Sequence, residues 1–199
     1  MTFQQEFTSW FPPKALATSS VPEPGNLAPS TQKLPFPPSD GKPALVTFLR
    51  HCGCPFAEKT FLSLRDHASK HPITTHIAVS HSSPAATETW LASVGGPGSV
   101  QVLVDDAREI YAQWGLGVSS TWHVLNPWSL WEVYALGKRE GIWNRPTESG
   151  SRWQTAGSFA VDGEGVVRWA RVMGKADEVP DFEEGDRVLG ERLERGGLG

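Results

Sequence analysis

Hydrophobic and polar residues alternate along the chain in a pattern that predicts strands followed by helices. A continuous apolar run with β-branched members at residues 44–49 indicates a central strand of a parallel sheet, covered on both faces. Two further strands are predicted over residues 75–80 and 100–104. After the first run, apolar residues recur every three or four positions, which predicts an amphipathic helix. The residues of this stripe are Ala57, Phe61, Leu64 and Ala68.

Further helices and strands complete the pattern. Helices are predicted after Ser83 and after Asp105 or Asp106, which are suitable caps. Residues 158–161 and 166–172 flank a Gly-containing turn and so form an antiparallel hairpin, followed by a helix over 182–193. Helices alternating with strands imply right-handed crossovers, so an α/β domain with a mixed sheet is expected.

The first 43 residues have a different composition from the rest of the chain. Nine of the sixteen prolines lie there, with many Ser and Thr between them, and no helical or strand period is visible. We therefore predict an extended Pro-rich arm over 1–43 and a domain over 44–199. Part of the arm is expected to lie on the domain through apolar residues, namely Phe3, Phe7, Trp10 and Phe11.

Net charge and cysteine content exclude several classes of protein. The formal charge of −4 is unlike that of a nucleic-acid-binding protein, which needs a basic face. No apolar run is long enough to span a bilayer, and the N-terminal residues lack the pattern of a secretory signal. Two cysteines separated by one residue do not make a secreted disulfide framework, so a reducing, cytoplasmic setting is expected.

Both cysteines, Cys52 and Cys54, lie in the turn between the first strand and the first helix. Pro55 suits the first helical position, which makes Cys54 the expected N-cap. A sulfur there faces unpaired backbone amides and the positive end of the helix dipole, which stabilise a reactive thiolate. The alternative is that Cys54 is a small buried residue without chemistry, as free cysteines commonly are.

Four stretches of the sequence resemble the AhpC/TSA antioxidant-domain branch of peroxiredoxin-like proteins. They are FLRHCGCPFAEKTFLSL, IAVSHSSPAATETWLASVG, VLVDDAREIYAQWGLG and WQTAGSFAVDGEGVVRWARV. The resemblance covers residues 42–195 except for an insert at 121–154. It implies a thioredoxin-like fold, with a mixed central sheet, helices on both faces, and the arm and the insert as additions.

The chain departs from the family pattern at three positions near the cysteine turn. Ala57 stands where the second cysteine of Gly-Cys-Pro-x-Cys is expected, His51 where a Thr is usual, and Ala156 where an Arg is usual. Cys52 is a candidate partner thiol, although a Cys-x-Cys disulfide closes a small, strained ring. Arg50 and His51 are the candidate sources of positive charge.

The insert carries five of the nine tryptophans: Trp122, Trp128, Trp131, Trp143 and Trp153. A short helix is expected from Pro127, with Trp131, Val133 or Tyr134, and Leu136 turned inward. Long ordered inserts commonly form a lid, a pocket wall or an interface. The competing interpretation is that these rings only cover the sheet or the arm. An exposed patch would indicate an oligomer contact, as in a homodimer.

His51, Cys52 and Cys54 are also a candidate soft-metal site, because imidazole and thiolate ligands suit zinc or copper. A closed zinc site needs four ligands, and the other histidines show no tight ligand spacing along the sequence. We therefore predict neither a metal nor a cofactor.

The first functional hypothesis is a thiol-dependent oxidoreductase. Cys54 is its nucleophile, acting on a peroxide, a lipid endoperoxide or a protein disulfide, and Cys52, glutathione or thioredoxin restores the thiol. Arg50 and His51 are expected to favour the thiolate. The expected substrate contacts are Pro55, Phe56, Trp122, Trp128 and Trp131.

Two alternatives remain open at this stage. The first is a redox-inactive thioredoxin-fold protein that binds a small molecule or a partner protein through its aromatic insert. The missing second Cys, Thr and Arg favour it. The second is a specialised tailoring enzyme acting on an aromatic substrate, which fits the insert but matches no motif.

Overall fold

The computed structural model describes residues 11–119, 127–146, 149–175 and 177–196, with the backbone alone at 127–130 and 192–196. Its strands are β1 (Ala44–Phe48), β2 (Thr75–Ser80), β3 (Gln101–Val104), β4 (Gly157–Val161) and β5 (Val167–Val172). Its helices are α1 (Pro55–Lys70), α2 (Pro84–Ser93), α3 (Glu109–Gln113), α4 (Pro127–Glu140) and α5 (Phe182–Gly196). The predicted elements are all present, and their boundaries lie within about three residues of the prediction.

The five strands form one mixed sheet in the order β3-β2-β1-β4-β5. Strands β1, β2 and β3 are parallel, and β4 pairs antiparallel with both β1 and β5. The end of β1 is fixed on both sides, because Phe48 lies opposite Val79 of β2 and Gly157 of β4. The cysteine turn therefore begins at the carboxyl end of the central strand, where α/β proteins commonly place their sites.

Helices cover both faces of the sheet, as predicted. On one face α1, α2 and α5 pack on β1, and their central contacts are Leu45, Phe61, Leu64, Trp90 and Leu189. On the other face α3 places Tyr111 and Trp114 against Phe48 and Phe159, with ring centroids 4.8 to 5.9 Å apart. Burial of these large rings on both faces makes β1 the centre of the core.

Asp105 caps α3 from a distance of several residues. Its carboxylate accepts hydrogen bonds from the amides of Glu109, Ile110 and Tyr111 at 2.8 to 3.1 Å. Arg108 occupies the N-cap position itself, in the left-handed region with φ of 61°. The predicted cap residue is therefore correct, although an additional turn separates it from the helix.

The arm packs on the domain and contributes side chains to its core. Ala28 and Leu34 are buried in the cluster around Trp114, and Phe36 meets the Trp114 ring edge-on at 5.9 Å. Phe11, an expected contact, is 57% exposed. The expectation for Phe3, Phe7 and Trp10 falls outside the described residues.

Helix α4 of the insert packs against the start of α1 through Leu136 and Val133. The expected inward position of Leu136 is therefore correct, whereas Trp131 and Tyr134 are 60% and 49% exposed and point outward. The sequence pattern is ambiguous here because apolar residues occur on both sides of this helix. Within the described part of the chain, no helix has the length and hydropathy needed to span a membrane.

Candidate active site

Cys54 is the N-cap of α1, as the sequence predicts. Its backbone is extended, with φ of −79° and ψ of 126°, and Pro55 occupies the first helical turn. The Cys54 amide donates to the His51 carbonyl at 2.9 Å, and the Cys54 carbonyl accepts from the Glu58 amide at 3.2 Å. The Cys54 side chain, however, accepts no hydrogen bond from the amides of the first turn.

The Cys54 side chain is 7% exposed and lies in a small apolar cluster. Phe56 and Ala57 of α1 contribute one side of this cluster, and Leu136 and Ile142 of the insert contribute the other. The insert therefore contributes to the burial of Cys54 at the start of α1.

Cys52 points in a different direction. Its thiol donates to Thr87 Oγ1 at 3.8 Å and lies 3.6 Å from Ser80 Oγ, and its amide donates to Ser82 Oγ at 3.1 Å. The side chain packs in the sheet-facing cluster that contains Trp90. Both cysteines are free thiols, and they occupy separate clusters.

Two cavities flank the turn. The larger, of about 190 Å³, is lined by Cys52, Trp90, Arg145 and Ser149 among others. The smaller, of about 10 Å³, is lined in part by Arg50, Phe56, Ala57 and Ala156. Thus two of the positions that depart from the family pattern, Ala57 and Ala156, share a cavity with Arg50. The expected substrate contact Phe56 lines the same cavity.

Arg50 is the buried cation of the turn. It is 7% exposed, and its Nη2 donates to the Arg152 carbonyl at 2.7 Å. His51 is 2% exposed, and neither ring nitrogen has a hydrogen-bond partner among the described residues. Burial, followed by the charges of Arg50 and Arg152, holds the His51 pKa well below its usual value. His51 is therefore neutral, and the expectation that it supplies positive charge is wrong.

The polar groups that follow β2 were not among the predicted site residues. Ser80, Ser82 and Thr87 surround Cys52, and His81 Nε2 lies 3.1 Å from both the amide nitrogen and the carbonyl oxygen of Ser151. Burial lowers the His81 pKa to about 4. The signal was the Ser-His-Ser run at the end of a predicted parallel strand, a position where functional side chains gather.

The insert is tied to the turn by polar contacts as well as apolar ones. The Arg145 amide donates to the Gly53 carbonyl at 3.0 Å, and its guanidinium makes two hydrogen bonds to Glu58, at 2.7 and 3.1 Å. Lys59 of α1 also pairs with Glu140 of α4. Gly53 is required by this approach, because a Cβ at that position would lie 2.8 Å from the Arg145 carbonyl oxygen.

Among the insert tryptophans whose side chains the structure describes, none lines the two cavities beside the cysteines. Trp131 lines neither cavity, and it forms an exposed row of rings with Tyr134 and Trp143, with centroids 5.7 and 6.3 Å apart. Trp153 is buried. Trp122 and the side chain of Trp128 lie outside the described residues.

His51, Cys52 and Cys54 do not converge as a ligand set. Among the described residues, the group of three donors that does converge is His67, His71 and Asp186, at the other end of α1.

Comparison with known proteins gives the same fold. The structure is similar to a thiol peroxidase from Chromobacterium violaceum, with 14% identity, a TM-score of 0.60, and 89% of this chain and 91% of that one covered. It is also similar to a peroxiredoxin-like protein from Aquifex aeolicus, with 14% identity, a TM-score of 0.58, and 86% and 88% covered.

A third similar structure is a cysteine-to-serine mutant of peroxiredoxin 6 from Arenicola marina, with 14% identity, a TM-score of 0.59, and 84% and 72% covered. At this identity these likenesses establish the thioredoxin-like fold and nothing further. A search of curated protein sequences found no significant match.

The family profile described as AhpC/TSA antioxidant enzyme matches residues 63–175, more than half of the chain. The match begins inside α1, after the cysteine turn, and continues through the hairpin of β4 and β5. The match therefore includes most of the sheet and its helices but neither Cys52 nor Cys54. The chain belongs to the AhpC/TSA antioxidant enzyme family, on a peroxiredoxin-like version of the thioredoxin fold.

Proposed function

We propose that this protein is a thiol-dependent peroxidase in which Cys54 attacks the O–O bond of a hydroperoxide. The observation that carries the proposal is the position of Cys54 as N-cap of α1, directly before Pro55, in a chain of the antioxidant family. The helix dipole and the first-turn amides of Phe56 and Ala57 favour an anion at this place. The similarity to a thiol peroxidase fits this choice of reaction.

The reaction is a two-electron transfer from sulfur to peroxide. The Cys54 thiolate attacks one peroxide oxygen, the S–O bond forms and the O–O bond breaks, and the leaving alkoxide or hydroxide takes a proton as alcohol or water. Cys54 is thereby oxidised to a sulfenic acid. Arg50 is the buried cation nearest in sequence to the turn, and we assign it the role of stabilising the thiolate and the developing oxyanion.

Access to Cys54 requires the insert to open. Leu136 and Ile142 share the apolar cluster of Cys54, and the Glu58–Arg145 and Lys59–Glu140 ion pairs hold the insert against α1. In the proposed cycle these contacts form again after the reaction, and the insert then shields the sulfenic acid from further oxidation. The substrate is therefore a small or slender hydroperoxide that enters when α4 separates from α1.

An external thiol completes the cycle. Because the Cys52 thiol points toward Ser80 and Thr87 and packs in a separate cluster, it does not face Cys54. A thiol of the glutathione or thioredoxin class attacks the sulfenic sulfur and releases water, and a second such thiol releases Cys54 from the mixed disulfide.

Peroxide consumption by three forms of the protein tests the proposal. With hydrogen peroxide or cumene hydroperoxide and excess glutathione, the wild type and Cys52→Ser should turn over. Cys54→Ser should fall to the rate of buffer alone. Cys52→Ser is the matched control for Cys54→Ser, because Cys52 and Cys54 are buried to a similar degree, at 8% and 7% exposed. Equal rates for Cys54→Ser and the wild type would refute the assignment.

A second candidate function is supported by the row of exposed rings. Three adjacent aromatic side chains are each about half exposed: Trp131, Tyr134 and Trp143. An exposed apolar patch of this kind commonly marks a protein–protein contact surface. We infer a contact surface for a second copy of this chain, so that the protein is a homodimer. Analytical ultracentrifugation of the wild type and a Trp131→Ser, Trp143→Ser double variant tests this, and a monomeric wild type would exclude it.

A further inference from the structure

The C-terminal end of α1 carries a cluster of metal-binding side chains that is separate from the cysteine turn. One ligand atom each of His67, His71 and Asp186 lies within 4.8 Å of the others. His67 is thirteen residues from Cys54 along the chain, so roughly 20 Å of helix separates the two sites. The expectation that these histidines lack ligand spacing is corrected, since His67 and His71 are four apart and share one helix face.

His67 presents an unused ring nitrogen to this cluster. Its side chain is 4% exposed, and its Nε2 has no hydrogen-bond partner among the described residues. Its Nδ1 lies 2.8 Å from His76 Nε2. One of these two nitrogens donates and the other accepts, so His76 holds the His67 ring through Nδ1 and His67 Nε2 is the nitrogen left to bind an ion.

Two carboxylates of α5 contact the histidines of this cluster. Asp186 Oδ2 lies 2.7 Å from His71 Nδ1, while Asp186 Oδ1 accepts from the Thr74 hydroxyl at 2.7 Å. Glu183 lies 3.9 Å from His67 Nε2 and 3.5 Å from His71 Nε2. Thr74 and His76 thus orient Asp186 and His67 from behind, as second-sphere partners do in metal sites.

We propose that His67, His71, Asp186 and Glu183 form a binding site for one divalent transition metal ion, with zinc as the best match. Two imidazole nitrogens and two carboxylate oxygens are a zinc donor set, and the two carboxylates balance the charge of the ion. The His67 and His71 rings are stacked, with centroids 4.0 Å apart. His71 is at the surface, 29% exposed, so its ring turns to direct a nitrogen at the ion.

The proposed ion links three elements that are distant in sequence. His67 lies in the last turn of α1, and His71 is its C-cap. Glu183 and Asp186 lie in the first turns of α5, while Thr74 precedes β2 directly and His76 lies within it. An ion bound only by the folded chain stabilises it by mass action. The site therefore fastens the last helix to the domain and has no part in the peroxide chemistry.

Calorimetric titration of the chelator-treated full chain with zinc chloride tests the proposal. Cys52→Ser, Cys54→Ser protein is the background, because free thiols also bind zinc. One ion per chain should bind, with affinity reduced at least about tenfold in His71→Ala and in Asp186→Asn. Glu184→Gln is the matched control, since Glu184 is an exposed acid on the same turn of α5 and should bind zinc as the background does.

A second measurement reports on His67 without a substitution in the core. In long-range ¹H–¹⁵N NMR, zinc should shift the His67 Nε2 resonance, and the zinc-bound ring should be protonated on Nδ1. The proposal is overturned by an absence of saturable binding in the cysteine-free background. It is overturned equally by unchanged affinity in His71→Ala, or by a His67 Nε2 resonance that zinc does not shift.

Discussion

At the scale of single residues, buried polar groups determine what the cysteine turn can do. Arg50 keeps its charge because a guanidinium stays protonated even when buried. His51 and His81, by contrast, are neutral because burial disfavours the imidazolium form and lowers both pKa values. The positive charge near the turn therefore comes from Arg50 and Arg152, while His51 is buried and uncharged.

The lowered pKa of His81 predicts a dependence of stability on pH. The folded pKa is about 4 and the unfolded value is 6.5, so the unfolded chain binds more protons between these values. Stability should therefore fall as pH drops from 6.5 to 4, with about 3 kcal/mol lost through His81 alone. Urea denaturation at several pH values should show a shallower slope for His81→Gln. Parallel curves for the two proteins would contradict this.

Sequence patterns within one element predict part of the site, but they do not predict contacts between separate elements. The N-cap position of Cys54 follows from the Cys54-Pro55 pair alone, and the structure confirms it. The contact of Cys52 with Ser80 and Thr87 depends on the pairing of β1 with β2 and on the placement of α2. The lowered pKa of His51 likewise depends first on burial by distant parts of the chain, and then on the charges of Arg50 and Arg152.

At the scale of elements, α4 is the helix of the insert that packs against α1 beside Cys54. The pattern predicts the helix but not its orientation, because Trp131, Val133, Tyr134 and Leu136 are all apolar and lie on more than one face. The structure turns Leu136 and Val133 toward α1 and leaves the larger rings outside.

Weakening the contact between the insert and α1 should expose Cys54. Glu58→Gln removes the charge that pairs with Arg145, and a partly exposed ion pair is worth roughly 0.5–1 kcal/mol. Alkylation of Cys54 by iodoacetamide should therefore be about two- to fivefold faster than in the wild type, as followed by mass spectrometry.

Glu132→Gln is the control for this experiment. It removes a similar charge, but Glu132 pairs with Arg139 within α4 and not across the contact. Its alkylation rate should match that of the wild type. A Glu58→Gln rate equal to the control would mean that this ion pair does not hold the insert over the sulfur.

At the scale of the whole molecule, the Pro-rich arm is part of the folded domain. The sequence indicates a separate extended segment, since its prolines interrupt any period. The structure joins the arm to the sheet, with Leu27 bridged to Val166 and with Leu34 2% exposed in the core. Irregular backbone with isolated apolar anchors gives no periodic signal, so this packing was not predictable from pattern.

A pair of leucines in the arm tests this arrangement. Leu34→Ala should lower the free energy of unfolding by about 2–4 kcal/mol, because it leaves a cavity beside Trp114. Leu27→Ala should change it by less than about 0.5 kcal/mol, because Leu27 is 75% exposed. Equilibrium urea denaturation measures both, and similar values for the two variants would show that the arm does not contribute to the core.

The most direct test of the catalytic account is to locate the first oxidised sulfur. The reduced full-length protein is treated with one equivalent of hydrogen peroxide in the presence of dimedone and then analysed by peptide mass spectrometry. The account predicts dimedone on Cys54 and an unmodified Cys52, with the same result in Cys52→Ser. Dimedone on Cys52 alone, or on neither cysteine while peroxide persists, would contradict it.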